Sequence, residues 1–396
     1  MLLNSAIRDL KLLYATSARL GGSGLDAVAA ETVRAADNAG LLGRVIAFQN
    51  RQTEVAAAKI ESLRWHPVRL LSGLGSEYYY AAKKHALDKA AAQRLAQGDF
   101  NLFHGWSGEC VRTLRVARRL GIPSIIEIPT WHRNKGKIKP ARQTKSERER
   151  AATRGWPGVK NRLLITRQQM LEEYELADQI LVLSEKAEET FLAAGMPREK
   201  LFRHQRGVDP ERFTPAAQPP EIFRAVFVGA LIKRKGVHHL LEVWRRLALP
   251  NAELVLVGTA HAEMQPYLER FAGPNVKVSG YVTDVQDFYR RALVHVFPSE
   301  CEGSAKATYE AAACGLAQIT TRESGDVVID GVNGLIIPPN DPDALAAALQ
   351  TLHGDRELCL RLGAAGRQRI VERFTWEHFH SRLREAWQTA AAFAQG

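Results

Sequence analysis

The feature that most constrains the fold is a regular alternation of short β-rich runs with longer stretches of helical periodicity. Parallel strands need long crossover connections, so this alternation is typical of parallel sheets covered by helices. The runs form two series of five. The first series comprises residues 12–15, 45–48, 102–103, 124–127 and 179–183, and the second comprises residues 225–228, 253–257, 276–278, 294–297 and 318–320. The pattern predicts an α/β protein with two doubly wound domains of similar size.

A proline-rich segment separates the two series. Residues 208–220 contain four prolines, which is typical of a hinge linker. We therefore expect an N-terminal domain over residues 1–207 and a C-terminal domain over residues 221–375. Ligands of open α/β sheets bind beyond the carboxyl ends of the strands, so two such domains should face a central cleft.

The composition fits a globular chain and excludes several other classes. Hydrophobic residues make up 45% of the sequence and charged residues 24%, which excludes disorder and low complexity. No apolar run approaches the roughly 20 residues of a membrane-spanning helix, and we expect no secretory signal. None of the four cysteines lies in a CxxC pair, so we expect a cytoplasmic protein with free thiols and no structural zinc.

The positive charge is concentrated in one segment. Residues 133–167 contain twelve Lys and Arg against two Glu, which is nearly all of the net charge of +11. Such a segment attracts nucleic acid, anionic lipid or a phosphorylated substrate, and a solvated loop is the alternative. Only Trp131 and Trp156 lie nearby and no nucleic-acid-reading motif is present, which argues against nucleic acid.

Two carboxylates, Glu302 and Glu310, follow the candidate strand at 294–297. Residues 302–310 read EGSAKATYE, and a helix starting near Ser304 would leave Glu302 on the preceding loop. The backbone N–H groups of residues 303–306 would then form a phosphate site at the positive end of the helix dipole. Glu302 can accept hydrogen bonds from sugar hydroxyls, and Glu310 can bind a ribose diol. Two solvated helix charges are the alternative.

Five motifs in order carry a resemblance to a known family. They are VFVGALIKRKGV at 226–237, ELVLVG at 253–258, PSECEG at 298–303, EAAACG at 310–315 and DGVNGL at 330–335. Together they resemble the nucleotide-binding domain of retaining GT-B glycosyltransferases of family four, the group 1 glycosyl transferases. The resemblance implies two Rossmann-like domains, with a C-terminal helix at 376–396 that crosses back to the first domain. It also implies roles for five side chains, with Glu310 on the ribose, Glu302 on the donor sugar, Lys235 on the diphosphate, and Tyr281 and Val282 beside the nucleobase.

The sequence departs from the family pattern at several positions. Ala230 stands where the family commonly has an arginine, so Arg234 or Lys233 must supply that charge to the leaving diphosphate. No Asp-x-Asp motif is evident, so we expect no metal and no other cofactor. Gly303, Ser304 and Ala305 replace the common Gly-Phe-Gly. Lys306 is unusual in this loop, where it either reaches the phosphates or is a solvated lysine.

The N-terminal half carries weaker signals. Gly21 and Gly22 follow the first strand, where they either let a substrate approach the backbone or serve strand-to-helix packing. Residues 103–108 read FHGWSG and residues 127–132 read EIPTWH. The resemblance makes His104, Trp106 and Glu127 acceptor-side residues, and we prefer His132 over His104 as the histidine on the sugar. The alternative for either histidine is satisfaction by loop hydrogen bonds.

These observations favour a retaining transferase that moves a hexose from a UDP- or GDP-sugar to a saccharide or lipid-linked acceptor in cell-surface polysaccharide or lipopolysaccharide assembly. The basic segment at 133–167 would hold it at an anionic inner membrane face, peripherally. A sugar-nucleotide epimerase on a similar scaffold is the rival enzyme class. A basic nucleic-acid-binding protein is the remote non-enzymatic rival, and we expect no nucleic-acid partner.

Overall fold

The chain divides into two compact units in the computed structural model, which describes residues 10–22, 24–64, 66–73, 76–134 and 164–393. Unit one comprises Met1–Val182, Ala187–His204 and His380–Gly396, and unit two comprises Leu183–Lys186 and Gln205–Phe379. Residues 135–163, which are most of the basic segment, lie outside the described residues, so the prediction for that segment stays a prediction.

Within the described residues, unit one contains seven strands. They are β1 (Leu12–Leu20), β2 (Leu42–Asn50), β3 (Ile60–Ser62), β4 (Leu102–Trp106), β5 (Ser124–Glu127), β6 (Gln179–Val182) and β7 (Leu201–Arg203). The described helices of this part of the chain are α1 (Leu25–Asn38), α2 (Ser76–Gln97), α3 (Val111–Leu120), α4 (Arg167–Leu176) and α5 (Glu185–Leu192). A 3₁₀ turn at Pro67–Gly73 precedes α2.

All seven strands of unit one form a single parallel sheet. The strand order is β3-β2-β1-β4-β5-β6-β7, and it reverses direction between β1 and β4. The central strands β4, β5 and β6 are buried throughout, which is why they are rich in apolar residues, whereas the edge strands β3 and β7 are partly exposed. Leu13, Ile46, Phe103, Ile126 and Ile180 are all fully buried in the core on one face of this sheet.

Unit two repeats the same architecture with six strands. They are β8 (Phe223–Val228), β9 (Ala252–Val257), β10 (Val276–Gly280), β11 (Val294–Phe297), β12 (Ala317–Thr320) and β13 (Leu335–Ile336). Its helices are α6 (Val237–Leu247), α7 (Gln265–Phe271), α8 (Gln286–Arg290), α9 (Lys306–Ala313), α10 (Pro342–Gly354) and α11 (Arg356–Arg373). The last helix, α12 (Trp376–Phe393), begins in unit two and continues in unit one.

The sheet of unit two is also parallel throughout. Its order is β10-β9-β8-β11-β12-β13, and the direction reverses between β8 and β11. Neighbouring residues of β8 serve opposite faces, because Phe227 packs in one hydrophobic core and Val226 in the other. The two predicted doubly wound α/β domains are therefore confirmed, and all ten predicted runs fall on observed strands.

The two ends of the long segment of unit two lie together. The Val208 amide donates to the Phe374 carbonyl oxygen at 2.8 Å, and Val208 forms a parallel bridge with Thr375. Phe213 is only 4% exposed and packs in a core of the same unit. Residues 208–213, which the prolines led us to assign to a linker, therefore pack as part of unit two.

Candidate active site

The loops that follow β8 and β11 meet at the point where the strand order of unit two reverses. In doubly wound sheets this point forms a crevice at the carboxyl ends of the strands, where ligands bind. Gly236 closes the first loop with φ of 71°, and a Cβ there would lie 2.2 Å from the Pro298 carbonyl oxygen of the second loop. Only glycine allows this close approach, which brings the cationic first loop against the loop that carries Glu302.

Lys235 and Arg234 converge on the carboxylate of Glu302. The Lys235 ammonium lies 3.2 Å and the Arg234 guanidinium 3.0 Å from the same Glu302 oxygen. The ammonium also lies 4.8 Å from the ring centroid of Phe297, the last residue of β11. Two cations sharing one carboxylate leave a net positive charge in the crevice.

Lys233 does not join this group, although it lies in the same 3₁₀ turn, Lys233–Lys235. Its ammonium lies 4.9 Å from the ring centroid of Tyr267, and its amide donates to Glu263 at 3.0 Å. Of the two residues expected to replace the missing arginine, the structure therefore brings only Arg234 to Glu302.

The loop after β11 is fixed by backbone hydrogen bonds to a distant part of unit two. The Glu302 amide donates to the Glu323 carbonyl oxygen at 2.9 Å, and the Ala305 amide donates to the Ser324 carbonyl oxygen at 2.8 Å. Because Ala305 is extended, with ψ of 115°, helix α9 begins at Lys306, two residues later than expected.

The later start changes the expected phosphate site. The Ala305 amide is already satisfied, so it is not one of the free donors that we expected. Within the described chain, the amides of Gly303, Ser304 and Lys306 have no backbone acceptor. Gly303 and Ser304 are buried, and the Ser304 hydroxyl contacts the Tyr309 hydroxyl at 2.8 Å. The N-terminus of α9 therefore keeps three amides for an anion.

Glu310 is a buried carboxylate with two partners. It is 3% exposed, the Tyr289 hydroxyl donates to it at 3.2 Å, and the Lys306 ammonium lies 2.5 Å from its other oxygen. The pKa of Tyr289 lies well above its usual value, mainly because the residue is buried and next because the negative charge of Glu310 also raises it. The Lys306 side chain is 40% exposed, and its contact with the phosphates stays a prediction. Lys306 is the ion-pair partner of Glu310 one helical turn away.

The two residues expected beside the nucleobase follow β10. Tyr281 is 71% exposed, whereas Val282 packs against a hydrophobic core of unit two. The Tyr281 ring is therefore available for stacking, and Val282 anchors its loop.

In unit one, His104 belongs to a buried polar cluster. The indole N–H of Trp387 donates to His104 Nδ1 at 3.2 Å, and His104 Nε2 lies 3.3 Å from a Glu127 oxygen. Because Nδ1 accepts, the proton of a neutral imidazole is on Nε2, which faces Glu127. The Trp106 indole donates to the Tyr14 hydroxyl at 2.7 Å. The structure brings His104 and Glu127 together in the interior.

His132 lies elsewhere in unit one, within aromatic packing. Its ring is 5.2 Å from that of Tyr174 and 5.0 Å from that of Phe191, and the side chain is almost completely buried. The Asn134 amide donates to His132 Nδ1 at 3.1 Å. Burial, followed by the charge of Arg167, lowers the pKa of His132 to about 4, so the ring is neutral at pH 7. His132 thus accepts one hydrogen bond from its own loop, and its assignment to the donor sugar stays a prediction.

The glycines after β1 face protein on the side where a side chain would project. A Cβ on Gly21 would lie 2.8 Å from the Gln52 amide nitrogen, and one on Gly22 would lie 2.5 Å from the Asp26 carboxylate. Gly21 also has φ of 89°. These contacts agree with the packing alternative, and a role for the two glycines in donor binding stays a prediction.

The sequence reasoning missed Glu109, which lies at the corresponding reversal point of unit one. Its carboxylate accepts the Ser17 amide at 2.8 Å and also the Ser17 hydroxyl, and it lies 3.4 Å from the Lys84 ammonium. Glu109 is only 6% exposed. It directly follows the FHGWSG motif, and that position was the available signal.

The described residues contain no group of three or more His, Cys, Asp or Glu side chains arranged to hold a metal ion. No helix in the described ranges combines the length and the apolar character needed to cross a membrane.

Residues 222–355 match a family model described as glycosyl transferases group 1. The capsular polysaccharide biosynthesis glycosyltransferase CapM of Staphylococcus aureus is 31% identical over 167 residues, which cover 39% of this chain and 44% of CapM. The chain spans about half the length of the curated relatives that it matches first.

Solved structures extend the similarity to the whole fold. Sucrose-phosphate synthase from Thermosynechococcus elongatus matches with a TM-score of 0.71 at 19% identity, covering 98% of this chain and 100% of that protein. Anabaena HepE in complex with UDP-glucose matches with a TM-score of 0.64 at 15% identity, covering 95% of this chain and 99% of HepE. The two parallel Rossmann-like sheets match GT-B glycosyltransferase structures, and the fold is GT-B.

Proposed function

We propose that this protein is a retaining glycosyltransferase that transfers a hexose from a UDP- or GDP-sugar to a hydroxyl of a saccharide or lipid-linked acceptor. The observation that carries the proposal is the convergence of Lys235 and Arg234 on Glu302 where the strand order of unit two reverses. The family match over residues 222–355 supports it, because that range contains all three side chains. The UDP-glucose held by the similarly folded HepE supports a nucleotide-sugar donor.

The cations of the crevice would stabilise the leaving diphosphate. Breaking the bond between sugar and diphosphate places negative charge on a phosphate oxygen, and preorganised cations lower the barrier most where charge develops. Lys235 is the main candidate, because its side chain is only 16% exposed whereas that of Arg234 is 45% exposed. The free amides of Gly303, Ser304 and Lys306 would bind the same phosphates.

The remaining residues of the crevice would position the donor. Glu302 holds both cations and can also accept hydrogen bonds from sugar hydroxyls. Glu310, oriented by Tyr289 and Lys306, would bind the ribose diol, and the exposed Tyr281 ring would stack on the base. Charged acceptors make the stronger hydrogen bonds to hydroxyl groups.

The anomeric configuration is retained when the acceptor hydroxyl attacks the anomeric carbon from the face that the diphosphate leaves. In that geometry, the departing phosphate oxygen takes the acceptor proton as the new bond forms. Lys235 and Arg234 would balance its charge until the proton arrives. Glu302 has a positioning role in this scheme and forms no covalent intermediate.

The charge of the chain supports a site of action at a membrane surface. The net charge of +10 over residues 133–167 would hold the enzyme peripherally at an anionic inner membrane face, at about 1 kcal/mol per basic residue. Surface polysaccharide or lipopolysaccharide assembly fits this location, and CapM is a capsular polysaccharide enzyme by name. Vesicles rich in phosphatidylglycerol should sediment the protein at low salt and release it at high salt. Sedimentation unchanged by deletion of residues 135–160 would reject this role.

The transferase proposal is tested with a panel of UDP- and GDP-sugars. Thermal shift identifies the nucleotide, because a ligand of the folded state raises the unfolding temperature by mass action. Incubation with the stabilising nucleotide sugar and a panel of acceptors should then give a glycoside whose anomeric configuration, read by NMR, equals that of the donor.

Two results would contradict the proposal. An inverted anomeric centre would exclude the retaining mechanism. An epimerised nucleotide sugar formed without acceptor would favour the rival epimerase.

A further inference from the structure

A second polar pocket lies in unit one, at the carboxyl ends of β2 and β3. Its volume is about 440 Å³, within the range of small-molecule sites. The lining residues are Gln49, Asn50, Arg51, Ser62, Arg64 and Arg69. They come from the ends of two neighbouring parallel strands and from the 3₁₀ turn before α2. The pocket therefore lies at the edge of the sheet formed by the carboxyl ends of the strands, two strands away from the reversal point between β1 and β4.

The lining of this pocket is cationic and contains no carboxylate. Three of its six residues are arginines, and neither Arg51 nor Arg69 forms an ion pair within the part of the chain that the structure describes. The Arg69 guanidinium donates to the Arg64 carbonyl oxygen at 3.0 Å, which fixes its orientation. Arginine guanidinium groups bind carboxylate and phosphate in a planar, bidentate manner.

The positive charge continues beside the pocket. Lys83 lies against the Phe48 ring at 4.6 Å, and Phe48 precedes Gln49 on β2. The pKa of Lys83 is lowered by its burial and next by the charge of Arg69. Like charges this close repel one another, and a bound anion would relieve the repulsion.

The pocket residues also include side-chain oxygens that have no hydrogen-bond partner among the described residues. These oxygens belong to Gln49 and Asn50, and both are buried. A buried polar atom without a partner is costly, so a ligand that donates hydroxyl groups to these oxygens would be favoured. The Ser62 hydroxyl, which donates to the Phe48 carbonyl oxygen over 3.4 Å, is a further polar group of the wall.

We propose that this pocket binds the acceptor, and that the acceptor is a sugar or other polyol carrying a phosphate or carboxylate group. The arginines match the anionic group, and the amide and hydroxyl groups match the polyol. The inference rests on the proposed transferase function, because only a transferase needs an acceptor.

The test titrates the full-length protein with glucose 6-phosphate, glucuronate, glucose and inorganic phosphate. We expect the two charged sugars to bind at least about tenfold more tightly than glucose or inorganic phosphate. Arg51→Ala and Arg69→Ala should each weaken that binding about tenfold or more. Arg119→Ala, on the exposed end of α3, is the matched control and should change nothing. Vesicles with and without phosphatidylglycerol, compared between wild type and Arg51→Ala, distinguish a lipid headgroup from a soluble sugar as the source of the anion, because vesicle binding through residues 133–167 does not depend on Arg51.

The outcomes separate this inference from the function on which it rests. Binding of glucose or phosphate as tight as that of the charged sugars would overturn it, as would an equal loss in Arg119→Ala. Failure of both the charged sugars and the phosphatidylglycerol vesicles to bind would also overturn it. UDP titrated into the same samples reports on the donor site, and its affinity should be unchanged by Arg51→Ala. Sugar binding that depends on Arg51, together with no nucleotide binding, would contradict the proposed donor site but not the proposed acceptor pocket.

Discussion

The Lys235 ammonium and the Arg234 guanidinium share one oxygen of Glu302, at 3.2 Å and 3.0 Å. The carboxylate therefore holds both cations close together. A diphosphate that binds there competes with Glu302 for them, so the three side chains should respond to substitution in different ways.

Lys235→Ala removes the more buried of the two cations. We expect kcat/KM for transfer to fall about 10²–10³-fold, the range for loss of one group that stabilises developing charge. Steady-state kinetics with the preferred donor measure the effect. Arg361→Ala, which removes an exposed charge of α11, should retain wild-type activity. Full activity in Lys235→Ala would remove this side chain from the mechanism.

Glu302→Gln should have opposite effects on binding and on turnover. Loss of the carboxylate leaves Lys235 and Arg234 unneutralised, so UDP should bind a few-fold more tightly. Transfer should decrease, because the donor sugar and the two cations are no longer oriented. Calorimetric titration with UDP and a kcat measurement test the two effects separately. Weaker UDP binding would show that Glu302 does not compete with the phosphates.

Glu310→Gln should weaken the binding of nucleotides but not that of pyrophosphate. Loss of the charged acceptor should cost about 1.5–3 kcal/mol, roughly ten- to a hundred-fold in affinity. Pyrophosphate lacks a ribose, so its affinity should be unchanged. Tyr289→Phe removes the hydroxyl that donates to Glu310 and should show a smaller loss in the same titration. Equal losses for both ligands would place Glu310 outside the ribose site.

The stability of unit one should fall between about pH 4.5 and pH 7 because of Glu173. Burial raises the pKa of Glu173 to about 7 against an ordinary value of 4.5, despite hydrogen bonds from the Gly108 and Cys110 amides. A carboxyl whose pKa is higher in the folded chain stabilises the fold below its unfolded pKa. That contribution is lost as the pH rises through the folded value.

Glu173→Gln should remove this pH dependence. Urea unfolding followed at several pH values measures the difference, with a slope of at most about 1.4 kcal/mol per pH unit for one proton. The exposed Glu175→Gln is the control and should keep the wild-type slope. Parallel curves for wild type and Glu173→Gln would show that this carboxyl titrates normally.

Trp387→Phe tests how α12 is held within unit one. The substitution removes the indole N–H that donates to His104 and leaves a buried nitrogen without a donor, which should cost about 1–3 kcal/mol of unfolding free energy. Chemical denaturation measures the loss. Arg384→Ala, an exposed position of the same helix, should be neutral.

The fold could be predicted from the sequence because most of its strands are buried on both faces and are rich in apolar residues. Nine of the ten predicted runs are buried almost throughout, whereas the tenth, on β10, is largely exposed. Strands β3, β7 and β13 were missed because runs of two or three edge residues carry no periodicity. The start of α9 was misplaced because the carbonyl oxygen of Ser324 takes the Ala305 amide, a contact that local sequence does not encode.

The candidate site was predicted unevenly. Lys235, Arg234 and Glu302 lie in motifs, and the structure brings them together. His132 was chosen from a motif alone, but the rings of Tyr174 and Phe191, distant in sequence, enclose it. The six-residue pocket of unit one has no motif, because separate strand ends and a turn assemble it.

The Val208 amide donates a hydrogen bond to the Phe374 carbonyl oxygen, so the two ends of the segment between them lie side by side. A polypeptide segment whose ends meet can be transplanted into another protein, or cut open elsewhere and rejoined at that junction, without stretching its backbone. Residues 208–374 thus begin and end at one place, so a circular permutation that joins these two residues and opens the segment in another loop would leave its strands in the same arrangement.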